Sequence, residues 1–277
     1  MTDLSQALEM VARTDPGMVR HNNEDAVLAN NAGGFAVLAD GMGGYNAGEV
    51  ASGMTTALLG VQLELAGKQT PFHQAQGDRL WAERALEQEV ARANGAVFQA
   101  AQSQPQYAGM GTTLVATIFS DNRLVVAHIG DSRLYRLRGS DFQAITKDHS
   151  LLQEQIDSGI ITSEQARHSQ NKNLVTRALG VDASVEAEIH VHEVMAGDIY
   201  LLCSDGLNDM MDDDEIAMAL QMLSANLPLC ADQLIQMAND NGGRDNVSVI
   251  LVKVKQAFPA PGGFWHMVRG WFGKQGK

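Results

Sequence analysis

The stretch Gly34-Phe35-Ala36-Val37-Leu38-Ala39-Asp40-Gly41-Met42-Gly43-Gly44 decides how the rest of the chain is read. A run of apolar residues stops at a carboxylate, and glycines follow at once. An apolar run of this length predicts a buried strand, and glycine lets backbone approach a ligand closely. Asp40 is therefore expected at the mouth of a strand, held rigidly beside open backbone. A lone Asp-Gly is a turn signal, but the arrangement recurs. Ile129-Gly130-Asp131, Leu201-Leu202-Cys203-Ser204-Asp205-Gly206 and Gly243-Arg244-Asp245-Asn246-Val247 each set an aspartate at the end of an apolar run.

Four carboxylates gathered at converging strand ends would repel one another, and cations would relieve the repulsion. Carboxylate and carbonyl oxygens, without Cys or paired His, favour Mg²⁺ or Mn²⁺ over zinc. A carboxylate shared by two such ions supports two-metal hydrolysis, with a bridging water as nucleophile. Arg20 adds a planar donor fork that suits two phosphate oxygens. The pattern predicts hydrolysis of a phosphoester.

Working outward, residues 7–14 predict a first strand, the polar cluster Arg20-His21-Asn22-Asn23-Glu24-Asp25 follows, and residues 26–29 resume apolar character. Residues 47–65 carry helical spacing, with Val50, Met54, Ala57, Leu58, Val61 and Leu65 on one face. A second helix is expected over 78–101, with Asp78 as N-cap. The period then switches: 112–119, 123–129 and 134–137 read as strands joined by Ser120-Asp121-Asn122 and Gly130-Asp131-Ser132, an antiparallel meander. Short helices at 151–157 and 163–168 lie in an insertion over one end of the core. Strands at 185–194 and 198–203, helices at 212–224 and 228–239, and a strand at 247–254 complete the domain. Strand clusters separated by helix pairs predict an α+β fold, two packed sheets with helices outside.

The 277 residues are 45% hydrophobic and 19% charged, the composition of a globular chain able to bury a large core. A net charge of −13 argues against nucleic acid as a partner. Cys203 and Cys230 sit among apolar residues and form no CxxC pair, so both are expected to be buried thiols. No secretory signal and no membrane span is visible, which predicts a cytoplasmic protein. Of the eight histidines, none has metal-ligand spacing. Asp212-Asp213-Asp214-Glu215 reads as the acidic start of a helix. A nucleotide-binding turn after Asp40 fails, because a dinucleotide fingerprint counted from Gly41 would need glycine at Asn46.

Eight short motifs then fall into a known order. They are Arg20-x-x-Asn23-Glu24-Asp25, Asp40-Gly41-Met42-Gly43-Gly44, Gly111-Thr112-Thr113, Gly130-Asp131-Ser132-Arg133, Asp148-His149-Ser150, Thr176-Arg177-Ala178-Leu179-Gly180, Ser204-Asp205-Gly206 and Asp245-Asn246. Over residues 8–255 the chain resembles the metal-dependent serine/threonine phosphatases of the PP2C (PPM) family, in their compact bacterial form. The resemblance implies an α-β-β-α sandwich in residues 1–255, with metals at one end and a flap at 150–176 that influences substrate choice. It implies that Asp40, Asp205 and Asp245 hold one metal ion, Mn²⁺ or Mg²⁺, and that Glu24, Asp40 and the Gly41 carbonyl hold a second. Asp131 with Asp205 matches a third, weaker site. Arg20 would grip the phosphate, Asp25 would orient a ligand or water, and Asn246 would shape the Asp245 turn. The partners implied are proteins bearing phosphoserine or phosphothreonine, and a cognate serine/threonine kinase.

One position departs from the family. Met42 stands where many eukaryotic members carry a histidine proposed as general acid, and methionine has no proton to donate. His149 is a distant alternative donor, or else a residue that shapes its loop. Two bland readings remain beside the functional ones: Arg20 as an ion-pair partner of Glu24 or Asp25, and Asp131 as a turn residue. A non-catalytic relative that only binds phosphoproteins should lack a metal carboxylate, yet Glu24, Asp40, Asp205 and Asp245 are all present. Residues 256–277 form a linker and an aromatic, basic tail, with Phe264, Trp265, Trp271 and Phe272 beside Arg269 and Lys274. The tail is expected to touch a membrane surface or partner groove, to strap across its own domain, or to be a disordered end.

Overall fold

A computed structural model describes residues 2–44, 47–162, 165–166 and 174–260. Two antiparallel sheets stack face to face. One has the order β1 (Leu8–Asp15), β13 (Val247–Val254), β12 (Ile199–Cys203), β9 (Arg133–Arg138), β10 (Asp141–Ala144). The other runs β11 (Glu188–Glu193), β8 (Arg123–Ile129), β7 (Leu114–Ser120), β3 (Phe35–Met42), β2 (Asp25–Asn30), with β6 (Gly111–Thr112) on the end of β3. Helices α1 (Ala47–Gln69) and α2 (Trp81–Ser103) cover the second sheet. The small hairpin β4 (Ala75–Gln76) and β5 (Arg79–Leu80) joins them. Near the other sheet lie α3 (Leu151–Asp157) and α4 (Asp205–Asn208), and α5 (Asp213–Leu223) and α6 (Leu227–Asp240) cover its outer face.

Each central strand is buried on both faces, so its sequence is nearly all apolar while its side chains still alternate. In β13, Val249 and Leu251 face α5 and α6, whereas Ile250, Val252 and Val254 face the other sheet. In β3, Phe35 and Val37 face α1 and α2, whereas Ala36 and Leu38 point between the sheets. Three packed layers of side chains thus separate four layers of backbone. The expected α-β-β-α sandwich is what forms.

The details correct several expectations. The three-strand meander does not exist: β7 and β8 pair, but the Gly130-Asp131-Ser132 turn carries the chain into the other sheet, where β9 pairs with β12 and β10. The expected face of α1 is only partly right: Val50 and Met54 pack against the core, but the rest of the face turns away. Val61 and Leu65 are exposed, and the buried stripe holds Ala51, Ser52, Thr55, Thr56, Leu59, Gly60 and Leu63. Close approach explains it, since a Cβ on Gly60 would stand 2.6 Å from Leu28 Cδ1. Helix α2 starts at Trp81, with Glu83 accepting the Leu80 N–H at 2.8 Å; Asp78 belongs to the preceding hairpin. The short helix expected at 163–168 and the tail beyond residue 260 fall outside the described residues, except for 165 and 166. The domain holds the chain past residue 255: Phe258 is buried, and Asn122 and Asp121 side chains accept the N–H groups of Phe258 and Ala260.

Candidate metal centre

The alternation in β3 decides where Asp40 points. Following Ala36 and Leu38, it belongs to the face between the sheets, at the end where the strands open to solvent. Asp25 stands directly opposite Asp40 in the β2–β3 register. Two like charges in a cross-strand pair destabilise a sheet unless something neutralises them. On β12 the same parity sends Tyr200, Leu202 and then Ser204 inward, and Ser204 Oγ donates to Asp25 Oδ2 at 2.8 Å. The sheets therefore meet through a hydrogen bond at the site itself.

Three of the four aspartates stand beyond strand ends, as expected: Asp131 follows β8, Asp205 opens α4, and Asp245 precedes β13. Asp40 does not end its strand. β3 continues through Gly41 and Met42, which pair with Thr112 and Gly111 of β6. The added strand clamps the Asp40 backbone. Its carbonyl accepts the Thr113 N–H and the Thr112 hydroxyl, both at 2.8 Å, and its N–H donates to Thr113 Oγ1 at 3.1 Å.

Glu24 is fixed by three elements. Its N–H donates to Asn246 Oδ1 at 2.8 Å, and its carbonyl accepts the Gly41 N–H at 3.0 Å and Ser52 Oγ of α1. Gly41 must be glycine, because a Cβ there would strike the Gly48 carbonyl and stand 2.6 Å from the Glu24 carbonyl oxygen. Gly48 is equally constrained: its missing Cβ would lie 2.8 Å from the Gly41 oxygen and 2.9 Å from the Glu24 carboxyl carbon. The Glu24 carboxyl and the Gly41 carbonyl thus lie side by side, two oxygens of the kind a hard divalent ion takes.

The electrostatics show the strain of this gathering. Burial, then the neighbouring charges of Asp25, Asp205, Asp131 and Asp245, push the Asp40 carboxyl well above the ordinary range. Asp205 is raised well above that range too, by burial and then by Asp131, Asp245, Asp209 and Asp25. Burial lifts Asp25 and Asp131 each to about 6, and it also raises Glu24, against the pull of Arg20. Among the described residues, Asp25 Oδ1 is buried with no hydrogen-bond partner. Buried carboxylate oxygens clustered so that each disfavours its neighbours' charge are a fitting donor set for Mg²⁺ or Mn²⁺.

Arg20 stands on the exposed loop after β1 and donates from Nη2 to Asp245 Oδ2 at 2.7 Å. Its ion-pair partner is therefore Asp245, not Glu24 or Asp25. Asn246 does more than shape a turn: besides Glu24 it holds the carbonyls of Pro16 and Asn22 through Nδ2, at 3.0 and 2.9 Å. One buried amide thus ties the loop bearing Arg20 to the strand bearing Asp245. Beside Asp131 and Asp205 opens a cleft of about 670 Å³, lined by Leu152 and Ile156 of α3 and by Asp209 and Met210.

Sequence reasoning missed Ser204, Ser52, Gly48 and Thr113 as parts of the site, since each acts through a partner remote in the chain. His149 cannot be the missing acid. Its Nδ1 accepts the Gly130 N–H at 3.1 Å, so its proton sits on Nε2, committed to Glu188 at 3.2 Å. His128, His149 and Glu188 bring three ligand atoms within 4.8 Å of one another. The two rings stack at 4.7 Å and only 11° from parallel, so their in-plane lone pairs do not converge on one ion. This cluster is a hydrogen-bonded assembly. Asp212 caps α5 as expected, in a reciprocal pair with Glu215.

Carboxylate oxygens drawn from two sheets, with an arginine fork at the mouth, form a site whose chemistry suits divalent cations and a phosphate group. Comparison with known proteins narrows the reading. Residues 19–246 match the family described as Protein phosphatase 2C. The chain is 41% identical over 254 residues to the serine/threonine protein phosphatase PstP of Mycobacterium tuberculosis, covering 92% of this chain but 46% of that protein. It is 38% identical over 244 residues to the serine/threonine phosphatase stp of Listeria welshimeri, covering 87% and 94%. A crystal structure of the PstP catalytic domain with two manganese ions superposes with a TM-score of 0.77 at 41% identity, over 90% of this chain and 98% of that one. The chain belongs to the protein phosphatase 2C family. It spans about half the length of its mycobacterial relative.

Proposed function

We propose that this protein is a serine/threonine protein phosphatase that hydrolyses phosphoserine and phosphothreonine with the help of Mn²⁺ or Mg²⁺. The observation that carries the reading is the convergence of Asp40, Asp131, Asp205 and Asp245 from both sheets, with Glu24 and the Gly41 carbonyl alongside. Asp40, Asp205 and Asp245 would hold one ion, and Glu24, Asp40 and the Gly41 carbonyl the other; Asp131 with Asp205 would take a third. When bound, the ions supply Lewis acidity and a water activated for attack on phosphorus.

The chain's own residues do the rest. Arg20 binds the phosphate with donors left over from Asp245 and orients it toward the carboxylates. Asp25, held by Ser204, fixes its neighbour Asp40 across the strand pair. Asn246 keeps the Arg20 loop and the Asp245 turn in register. Met42 and His149 offer no proton, so the leaving alkoxide draws its proton from solvent at the open mouth of the site. The cleft beside Asp131 receives the polypeptide around the phosphorylated residue, with α3 of the flap as one wall.

Residues 1–255 form the catalytic domain in this reading, and a serine/threonine kinase supplies the substrates, on the analogy of the relatives. Two buried free thiols suit the reducing cytoplasm, and no helix among the described residues is long and apolar enough to cross a membrane. The aromatic and basic segment 264–274 is the contact for a membrane surface or partner. The Phe258 anchor on the Asp121-Asn122 turn, at the end of β7 and β8 remote from Asp131, supports an exit facing away from the site. Phosphate release from a phosphothreonine peptide with Mn²⁺ and with EDTA tests the main claim. Turnover should require the metal; equal rates in EDTA, or none with Mn²⁺, would refute it.

A further inference from the structure

His149 is held on every side. Its Nδ1 accepts the Gly130 N–H at 3.1 Å, and its own N–H donates to the Gly130 carbonyl at 2.9 Å. Its carbonyl accepts the Thr176 N–H at 2.8 Å, across the base of the flap, where Ser150 and Val175 form a bridge. The ring is buried and stacks on His128, whose Nε2–H donates to the Lys147 carbonyl at 2.9 Å. Its Nε2–H donates to Glu188 Oε2 at 3.2 Å, and the other Glu188 oxygen accepts His190 Nε2–H at 2.6 Å.

What His149 grips leads straight to the carboxylates. Gly130 adopts φ +97°, and a Cβ on it would fall 2.7 Å from Thr113 Cγ2, so the turn sits hard against Thr113. Asp131 follows. Ser132 then shares a 2.7 Å hydroxyl–hydroxyl bond with Thr113, the residue that clamps the Asp40 backbone on both N–H and carbonyl. A run of short bonds therefore joins Glu188, on the edge strand β11, to both Asp131 and Asp40.

We propose that His149 is a positioning residue for the metal centre: held in its Nε2–H tautomer by Glu188, it fixes the Gly130–Ser132 turn and, through Thr113, the backbone of Asp40. The tautomer is the functional element. With the proton on Nδ1, the ring would turn a donor toward the Gly130 N–H, and a buried amide would lose its acceptor. Glu188 prevents that by demanding a proton on Nε2. Bonds from His190 and His149 outweigh its partial burial and hold its carboxyl down at about 2, so it remains an acceptor throughout the working range. The proposal rests on the metallophosphatase reading of the site.

Glu188 is part-exposed, so its variants fold. Full-length Glu188→Gln, which keeps an acceptor for His149, is compared with Glu188→Leu, which has none. Three readouts are taken: the His149 tautomer from long-range ¹H–¹⁵N spectra, Mn²⁺ affinity by titration calorimetry, and kcat and KM on a phosphothreonine peptide. Wild type and Glu188→Gln should share the Nε2–H tautomer and bind Mn²⁺ alike. Glu188→Leu should show mixed tautomers, Mn²⁺ affinity weakened about fivefold or more, and kcat reduced about tenfold with KM little changed. His149→Asn, whose side-chain oxygen can accept the Gly130 N–H, should recover more activity than His149→Phe. Wild-type Mn²⁺ affinity in Glu188→Leu, or equal damage in Glu188→Gln and Glu188→Leu, overturns the proposal. Wild type that binds Mn²⁺ but releases no phosphate refutes the phosphatase reading alone, and tautomer and affinity still judge the clamp.

Discussion

Replacing Gly48 with alanine should weaken metal binding and loosen the seat of α1 on β3. The new methyl carbon would stand 2.8 Å from the Gly41 carbonyl oxygen and 2.9 Å from the Glu24 carboxyl carbon. Ordinary contacts between such atoms lie near 3.5 Å or beyond, so one group must retreat by roughly 0.6 Å or more. Gly41, whose backbone carbon and oxygen are both clashing atoms, is pinned by its bond to the Glu24 carbonyl and by its pairing with β6, so the start of α1 must back away from β3 and the Glu24 side chain must move as well. Metal–ligand distances tolerate only about 0.2 Å. Overpacking of this kind costs about 1–3 kcal/mol, and at 1.4 kcal/mol per decade that is roughly 5- to 150-fold in affinity if it falls on the bound state. Helix propensity favours alanine by about 0.8–1 kcal/mol and offsets part of that cost in the metal-free fold, where the clash with the Gly41 backbone remains. Gly53→Ala, in the same helix with nothing within 4 Å of the added carbon, is the control. It should raise Tm by roughly 2–4 °C and leave Mn²⁺ binding unchanged. Calorimetric titration and thermal unfolding in EDTA read both effects. Gly48→Ala that binds Mn²⁺ within twofold of wild type would refute the placement of Glu24 and Gly41 around an ion.

Three further outcomes follow from the same geometry. Burial and mutual repulsion raise the carboxyls of Asp25, Asp40, Asp131 and Asp205, so in EDTA their contribution to stability is full below about pH 4 and is lost as pH rises, through about 6 for Asp25 and Asp131. The gain in Tm on adding Mn²⁺ should therefore be larger at pH 7.5 than at pH 5, and an equal gain at both would contradict the clustering. Asn246→Ala removes the acceptor of the Glu24 N–H and the donor to two loop carbonyls, and should cost about 2–4 kcal/mol in urea unfolding; a loss under 0.5 would show that these bonds do not carry the loops. Arg20→Ala, at an exposed position, should raise KM for a phosphothreonine peptide about tenfold while Tm moves by less than about 2 °C. An unchanged KM would return Arg20 to the role of a surface ion-pair partner.

The sequence disclosed what depends on neighbours in the chain. Strand β13 was legible to the residue, because its apolar run is bounded by Asp245-Asn246 and by Lys255. The clustering of Asp40, Asp131, Asp205 and Asp245 was legible because each sits beside a turn signal that recurs. What could not be read depends on partners far away. Gly130-Asp131-Ser132 has the composition of a hairpin turn, and only the pairing of β9 with β12 shows it to be a crossing between sheets. In α1, Val61 and Leu65 mark the wrong face, since the buried stripe mixes Leu59 and Leu63 with the small residues that close approach to β2 and β3 requires. Asn246 and Ser204 look like turn residues, yet they bond to groups 222 and 179 positions away.

The crossing at residues 130–132 has a consequence for the lifetime of the folded protein. Glu24, Asp40 and Asp131 extend from one sheet, and Asp205 and Asp245 from the other, so the proposed ligand set exists only after the sheets dock. Ions held by both sheets would act as rivets across a seam. They would slow the opening of the seam without hastening its closure, because a half-assembled chain would give them little to hold. Chelation should thus shorten the survival of the native state under protease, while the rate of refolding stays as it was.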